Sequence, residues 1–248
     1  MLSLIASTAV LLGAASAAAL PSVCGKTCAR VPPAVSMQSS GCYKPAPKGF
    51  EYGHWYRTYQ SLPGSEYMHN IELFASPGAT TDVHKTDFIT FQVPGCDHIY
   101  SIYGYETYTD YTDVKTFHGT GTLEQVSGPL EIVAYGWDTA CDPYIVYWEP
   151  GPTGDFGLTT MSSSPTGPTL KTFTDLVADI KALGHDDLTA QVDKLDWIPY
   201  DGARKVVPYP QASKEVLENK NMPDASGKCP TDGESIFGQR VLKYVKDL

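Results

Sequence analysis

The stretch LEIVAYGWDTACDPYIVYWE (residues 130–149) decides the fold predicted for this chain. It contains two runs rich in β-branched and aromatic residues, Leu130 to Trp137 and Tyr144 to Glu149, which the turn residues Cys141-Asp142-Pro143 separate. Such a pattern is typical of two neighbouring strands joined by a tight turn. Apolar residues occupy both faces of these runs, and a barrel wall with a filled inside and a partly covered outside needs such two-faced strands.

The same pattern extends in both directions from this stretch. Eight candidate strands are separated by turn residues, with no helical pattern between them: 54–59, 70–75, 87–93, 99–105, 115–124, 130–137, 144–149 and 157–162. Eight strands at this spacing predict an antiparallel sandwich or an up-and-down barrel. Beyond them the apolar period changes to that of one amphipathic helix, from Leu170 to Leu183, which is expected to pack on the sheet.

The amino terminus predicts secretion. Residues Met1 to Ala19 contain no charged side chain, and the apolar run ends in small residues, Ala15-x-Ala17 or Ala17-x-Ala19, which suit signal-peptide cleavage. A membrane anchor is the alternative interpretation, and no later segment is long and apolar enough to span a bilayer. We therefore expect a signal peptide over 1–19, a disulfide-tied leader over 20–52, a barrel with its helix over 53–200, and a tail over 201–248 with a short helix.

Composition excludes one class of partner. The chain has 18 Lys and Arg against 28 Asp and Glu, a formal net charge of −10, and contains no basic run, which argues against nucleic-acid binding. Of its 28 aromatic residues, 21 lie between Tyr43 and Trp148, where all but the last candidate strand fall. The sequence has no pair of histidines at zinc-binding spacing and no Gly-x-Ser-x-Gly motif, so we predict no metal site, no cofactor and no catalytic residue.

Six cysteines fit a secreted protein with three disulfides. They are Cys24, Cys28, Cys42, Cys96, Cys141 and Cys229. A zinc knuckle at Cys24-x3-Cys28 is the alternative, but no second pair of ligands with zinc spacing follows it.

Several motifs, taken in order, resemble those of the lipocalin family within the calycin barrels. Gly53-His54-Trp55-Tyr56 resembles the Gly-x-Trp-Tyr opening of the family's first strand, and Cys42 to Pro47 resembles its leader. Trp137 to Tyr144 lies where the second family motif bridges strands six and seven, and Leu158 to Pro165 resembles the end of the last strand. The resemblance covers residues 42–199 and implies an eight-stranded antiparallel up-and-down barrel followed by one helix.

The resemblance also implies a floor and a pocket. The floor residues are Gly53, Trp55 and Tyr56, and strand alternation gives the inward ligand-binding candidates Ile71, Leu73, Ile89, Phe91, Phe117, Leu130, Ile132, Tyr144, Val146 and Trp148. Most members place an arginine on the first-strand tryptophan, where this chain has Ser163 or Ser164. Either Arg57 or Arg30 substitutes, or the floor is closed differently.

In such a meander the start of the first strand and the loop after strand six lie at the same end, whereas the loop after strand three lies at the other end. This geometry predicts the disulfide Cys42–Cys141 and pairs Cys96 with a leader or tail cysteine, most simply Cys229, which leaves Cys24–Cys28.

The function expected from this resemblance is binding or transport of a small hydrophobic or aromatic molecule by a secreted protein. Two alternatives stay open. One is an isomerase or cyclase that uses acid–base chemistry on the same barrel, and the other is an extracellular effector that binds protein or glycan. Charged pairs inside the barrel would favour the enzyme, a dry apolar lining the carrier, and a barrel filled by its own side chains the effector.

The cluster Glu106, Asp110 and Asp113 is a candidate acid–base or calcium site, or a solvated loop. The ligand and the oligomeric state are not predicted.

Overall fold

The barrel consists of eight antiparallel strands. The computed structural model describes residues 23–32, 41–63, 68–108, 113–150, 155–202, 204 and 213–220. The strands are β1 (Gly53–Gln60), β2 (His69–Pro77), β3 (Lys85–Gln92), β4 (Tyr100–Tyr108), β5 (Val114–Gly119), β6 (Ser127–Trp137), β7 (Pro143–Pro150) and β8 (Phe156–Ser162). The helices are α1 (Leu170–Ala182), α2 (Asp186–Val192) and α3 (Lys214–Leu217), and a short strand, β9 (Asp196–Trp197), precedes α3.

Every strand pairs with its neighbour in sequence, and the sheet closes on itself. β1 pairs antiparallel with β2 through Gly53↔Ala75 and with β8 through Tyr56↔Ser162. This closed meander confirms the predicted up-and-down barrel. One strand is shorter than predicted, because β5 ends at Gly119 and a 3₁₀ turn follows at Gly121–Leu123. A side chain at Gly121 would collide with the backbone of Glu218, against which this turn packs.

Side chains that meet across the barrel identify its inside. Trp55 of β1 and Leu73 of β2 cluster with Ile132 of β6, Ile145 of β7 and Met161 of β8. β2 and β6 are not neighbours in the sheet, so these residues can meet only through the lumen. Alternation along each strand then assigns the remaining side chains to the inside or the outside.

Helix α1 covers the outside of the last strands. Its Leu176 and Ile180 pack on Tyr144, Val146 and Trp148 of β7. Full burial of a Leu or Ile side chain contributes about 1.5–3 kcal/mol, so this outer layer is a substantial part of the core. The prediction that these three β7 residues face the lumen is therefore wrong. β7 is apolar on both faces, so its sequence did not indicate which face turns inward.

The leader runs beside β6. The backbone N–H of Gly25 donates to Trp137 O at 2.8 Å, that of Arg30 donates to Val133 O at 2.9 Å, and Ala29 forms a bridge with Ala134. This path carries the start of the leader to the loop between β6 and β7.

The disulfides differ from those predicted. Cys24 is bonded to Cys141 and Cys28 to Cys42, with Cα–Cα distances of 5.2 and 6.1 Å. The predicted pairs Cys42–Cys141 and Cys24–Cys28 are wrong because the leader segment beside β6 places Cys24, rather than Cys42, next to Cys141. Cys229 lies outside the described residues, so its pairing with Cys96 stays a prediction.

The segment after α2 fills a gap in the wall. β9 pairs with the end of β1 through Tyr59↔Trp197, where β1 and β2 diverge. Asn70 N then donates to Pro199 O at 2.9 Å, and Tyr200 donates its hydroxyl to Glu72 at 3.0 Å on the outer face.

Two sequence predictions fall outside these residues. The expected signal peptide over 1–19 and the short helix within Ile236 to Val245 are not among the described parts of the chain. Within those parts, no helix is both long enough and apolar enough to cross a membrane.

We expect the longer disulfide loop to contribute more stability. Replacing Cys24 and Cys141 together by serine opens a loop with a sequence separation of 117, against 14 for Cys28 and Cys42. Loop-closure entropy predicts a loss of about 5 kcal/mol in the first case and about 3 kcal/mol in the second. Urea denaturation of the two double variants measures this difference. The reverse order, or a peptide map that links Cys24 to Cys28, would contradict the described pairing.

Candidate functional site

Seven of the ten predicted ligand-binding residues face the lumen. Leu73, Leu130 and Ile132 lie in the cluster that crosses the barrel near the floor, with Ile89 packed against it. Ile71 and Phe91 lie in a second cluster towards the other end, which Ile89 also contacts. Phe117 lies over Gly104 of β4, where a Cβ would approach its ring to 2.3 Å.

A buried group of charged side chains lies at the floor end of the lumen. This is the end where β1 begins, which we call the closed end. Lys85 of β3 extends its Nζ to 2.9 Å from Glu106 Oε1, 3.3 Å from Asp87 Oδ1 and 3.7 Å from Glu51 Oε1. Lys85, Asp87 and Glu106 are each 3 % exposed or less. Because Asp87 and Ile89 share one face of β3, this group continues the apolar lumen surface towards the floor.

A second lysine completes this group, which we call the ionic cluster: Glu51, Lys85, Asp87, Glu106 and Lys115. Lys115 of β5 contacts Glu51 Oε1 directly and lies 3.6 Å from Glu106 Oε2. Tyr147 of β7 donates its hydroxyl to Glu51 Oε1 at 2.6 Å, and both lysine Nζ atoms lie about 5.5 Å from the centroid of its ring. His84 Nε2 lies 3.1 Å from the other oxygen of Glu51.

Burial and neighbouring charges act against each other on the carboxyl groups. Burial raises the pKa of Asp87 well above its ordinary value, and the charge of Glu106 adds to this while Lys85 opposes it. Burial also acts to raise the pKa of Glu51 and Glu106, but Lys85 and Lys115 outweigh it and hold both values below the ordinary range. Of the three carboxyl groups in the ionic cluster, Asp87 is therefore the one that keeps its proton to the highest pH.

The lysines lie where a metal ion would otherwise bind. Glu51, His84 and Glu106 bring one potential ligand atom each within 4.8 Å of one another. Carboxylates and imidazole are common metal ligands, yet Lys85 and Lys115 lie 2.9–3.7 Å from oxygens of the same carboxylates, besides the closer contact of Lys115 with Glu51. Two ammonium groups already supply positive charge there and would repel a divalent cation.

Among the described residues, no arginine is stacked on the floor tryptophan, Trp55. Trp55 donates its indole N–H to Glu51 O at 2.9 Å, and the Phe50 ring lies 6.1 Å from the Trp55 ring, centroid to centroid. Arg30 instead lies over the ring of Tyr43 in the leader. Arg57 lies 3.4 Å from Glu149, and both side chains are on the inner face of the barrel. Of the two alternatives left open by the sequence, the structure shows the differently closed floor.

Only one of the other two predicted floor residues lies at the floor. Gly53 begins β1 at the closed end, as expected. Tyr56 pairs with Glu72, on the face of β1 opposite to Trp55, and its ring contacts that of Tyr200 at 4.9 Å. Tyr56 therefore lies on the outside, and its assignment to the floor is wrong.

The predicted acidic group Glu106, Asp110 and Asp113 is divided. Glu106 points into the ionic cluster, whereas Asp113 accepts the hydroxyl of Tyr43 at 2.7 Å and the backbone N–H of Ala46 at 3.1 Å. Asp113 thus fastens the leader to the barrel. Asp110 lies outside the described residues.

Farther from the floor the lumen wall carries a charged pair, Arg57 of β1 with Glu149 of β7, as well as apolar side chains that are not fully covered. Ile89, Ile102 and Phe117 face inward from β3, β4 and β5, yet all three stay partly exposed to solvent. The neighbouring Phe91 and Ile71 are buried beneath Ile198 and Tyr100. A partly exposed side chain on an inward face borders space that solvent reaches.

Sequence reasoning missed the ionic cluster, although a signal was present. Lys85 and Asp87 lie on the same face of the strand as Ile89 and Phe91, which the alternation had assigned to the inside. Extending that alternation back by four residues from Ile89 would have placed an aspartate and a lysine in the lumen. Tyr147 was missed because the inward phase of β7 was assigned to Tyr144 instead.

We expect the loss of one buried lysine to destabilise the protein strongly. Lys115→Met leaves Glu51 and Glu106 with less compensating charge, and breaking a buried ion pair costs about 3–5 kcal/mol of unfolding free energy. The matched control is Lys171→Met on α1, whose ion pair with Asp175 is exposed and should cost about 0–1 kcal/mol. Urea unfolding of both variants measures the difference. Equal effects would show that the ionic cluster is not a buried charged group.

Comparison with known proteins gives a likeness in fold. No protein-family model matches the chain, and a search of characterised proteins finds no match. A solved structure of apocrustacyanin C2, described with the homologous apoproteins A1 and C1, aligns with a TM-score of 0.40 at 15% identity, covering 72% of this chain and 92% of that one. A likeness at this level carries no argument about function. The chain's own closed meander, with a helix packed on its outside, confirms the eight-stranded up-and-down barrel followed by a helix that was predicted from the sequence.

Proposed function

We propose that this protein binds or transports a small hydrophobic or aromatic molecule in the lumen of its barrel. The observation that supports the proposal best is the partial exposure of the inward side chains Ile89, Ile102 and Phe117. Side chains that fill a closed core leave no such exposed apolar surface inside the barrel. An eight-stranded barrel is also just wide enough to hold one small ligand.

The binding free energy would come from removing apolar area from water. Each Å² of apolar surface buried contributes about 25 cal/mol before the cost of association is subtracted. The three residues lie on neighbouring strands β3, β4 and β5 and form one side of the space. The ligand would therefore contact this wall, with the seven inward residues predicted from the sequence as its candidate surroundings.

Secretion is part of the proposal. The expected signal peptide over residues 1–19 and the disulfides Cys24–Cys141 and Cys28–Cys42 both suit an oxidising extracellular compartment. A carrier of an apolar molecule outside the cell would use the lumen to keep its ligand out of water.

A substitution that fills the lumen should abolish binding of an apolar probe. We expect Ile89→Trp to weaken binding of the uncharged fluorophore N-phenyl-1-naphthylamine by about tenfold or more, because the indole occupies the space that the probe needs. Fluorescence titration of the purified protein measures the affinity.

The matched control is Phe88→Trp, at the next position of β3. Phe88 is also partly exposed, but it faces outward and contacts the ring of Phe74 at 6.3 Å. We expect this variant to bind the probe as the unmodified protein does. If Phe88→Trp lost binding and Ile89→Trp kept it, the outer aromatic surface would be the binding site, as the effector alternative requires.

Acid–base catalysis is a second candidate function, and one observation favours it. Asp87 and Glu106 both lie beside Lys85, at 3.3 and 2.9 Å, on the inner face of the barrel. Burial and the charge of Glu106 raise the pKa of Asp87, while the lysines outweigh burial and lower that of Glu106. A protonated acid beside an ionised base can add a proton to one carbon of a ligand and remove one from another, which shifts a double bond without net change in composition.

This candidate is tested with 3-cyclohexen-1-one, whose conversion to the conjugated ketone is followed by ultraviolet absorbance. We expect Asp87→Asn and Glu106→Gln to lower the rate by about 100-fold, whereas Asp82→Asn in the exposed loop before β3 leaves it unchanged. A rate with the unmodified protein no higher than in buffer would remove this candidate.

A further inference from the structure

The ionic cluster has one carboxyl group more than it has ammonium groups. It contains three carboxyl groups, on Glu51, Asp87 and Glu106, and two ammonium groups, on Lys85 and Lys115. The other polar groups that face it are the hydroxyl of Tyr147 and the imidazole of His84, both in contact with Glu51. Burial and the charge of Glu106 raise the pKa of Asp87, which favours its protonated form and reduces this imbalance in the absence of another cation.

The cluster also contains carboxylate oxygens whose hydrogen bonding is incomplete. Both carboxylate oxygens of Glu106 and Oδ1 of Asp87 lie within ion-pair distance of a lysine whose N–H groups are poorly aligned with them, and the Asp87 and Glu106 carboxyl groups also interact with each other. Glu106 is fully buried and Asp87 is 3 % exposed. One proton bridges two of these three oxygens at most, so a buried acceptor is left that a further donor would satisfy.

These acceptors lie next to the open part of the lumen. Asp87 is two residues from Ile89 on the inner face of β3, and its partner on β4 is Gly104, over which the ring of Phe117 lies. Ile89 and Phe117 are both partly exposed. A molecule that occupies the space beside Ile89 would therefore end close to Asp87 and Glu106.

We propose that Asp87 and Glu106 bind the ammonium group of an apolar primary amine, whose hydrocarbon part lies against Ile89, Ile102 and Phe117. This inference rests on the proposed function and names the class of ligand. The ammonium group replaces the proton of Asp87, which passes to solvent, so that three carboxylates then face three cations. The ammonium group also brings hydrogen-bond donors to the oxygens of Asp87 and Glu106 whose hydrogen bonding is incomplete.

Other ligand groups fit this position less well. A hydroxyl group satisfies an acceptor but brings no charge, and a carboxylate adds a fourth negative group. A divalent cation would bring two charges where one is missing, beside two lysines that already lie 2.9–3.7 Å from these carboxylates. The charge count therefore favours a monovalent cationic donor.

Titration calorimetry of the full secreted protein with octylamine, 1-octanol and octanoate tests the proposal. We expect octylamine to bind about tenfold more tightly than 1-octanol, and octanoate to bind more weakly than either. Repeating the octylamine titration in two buffers of different ionisation enthalpy should show release of about one proton per amine bound. Zinc chloride serves as a fourth titrant and should not compete with octylamine.

Variants separate the ammonium site from the lumen. Asp87→Asn cannot release a proton or supply the third negative charge, so octylamine should lose its advantage while 1-octanol keeps its affinity within about twofold. The control Asp82→Asn should change neither affinity. Proton release by the unmodified protein is an independent readout if Asp87→Asn does not fold.

Several outcomes would overturn the inference. They are equal affinities for octylamine and 1-octanol, the absence of proton release, or displacement of octylamine by zinc. If the apolar fluorophore binds while octylamine shows no preference, the amine inference fails and the proposed function stands. If the fluorophore and all three octyl compounds fail to bind, the proposed function fails as well.

Discussion

The interaction on which the rest of the structure depends is the pairing of two buried lysines with three carboxyl groups inside the barrel. Removing such charges from water costs several kcal/mol for each ion unless every one of them is compensated. Glu51 supplies part of this compensation through Lys85 and Lys115, and it belongs to the leader rather than to a strand. The barrel can bury its lysines only when the leader is in place.

The leader is accordingly built into the floor. The Glu51 backbone accepts the indole N–H of Trp55, and Phe50 packs against the same ring. Cys24–Cys141 and Cys28–Cys42 hold the earlier part of the leader beside β6. A covalent constraint there limits the separation of Glu51 from the lysines, so the disulfides and the ionic cluster stabilise the same closed end of the barrel.

The barrel could be predicted from the sequence because its strands are short, numerous and separated by clear turn residues. The orientation of individual strands could not always be predicted, since β7 is apolar on both faces and its Tyr144 and Tyr147 are both buried, one beneath α1 and one above the ionic cluster. Lys85 and Asp87 were not expected inside because charged residues near a strand end are usually solvated. Their burial depends on partners from β4, β5 and the leader, which are distant in the sequence.

The disulfide pairing could not be predicted from the sequence for a similar reason. The strand meander correctly indicates which loops share an end, but it contains no information on the path of residues 25–30 beside β6. That path decides whether Cys24 or Cys42 reaches Cys141. Tertiary contacts of an irregular segment leave little periodic signal, whereas the strands themselves leave a strong one.

The account is tested most directly by the protonation state of Asp87. Its raised pKa means that the folded protein keeps this proton at pH values where the unfolded chain has lost it, so Asp87 lowers stability as pH rises through that window. Carbon NMR of the side-chain carboxyl groups at about pH 7 measures the state of each group. We predict that Asp87 is protonated while Glu51 and Glu106 are ionised. A carboxyl of Asp87 that titrates in the ordinary range of exposed aspartates would contradict the charge balance on which the site is based.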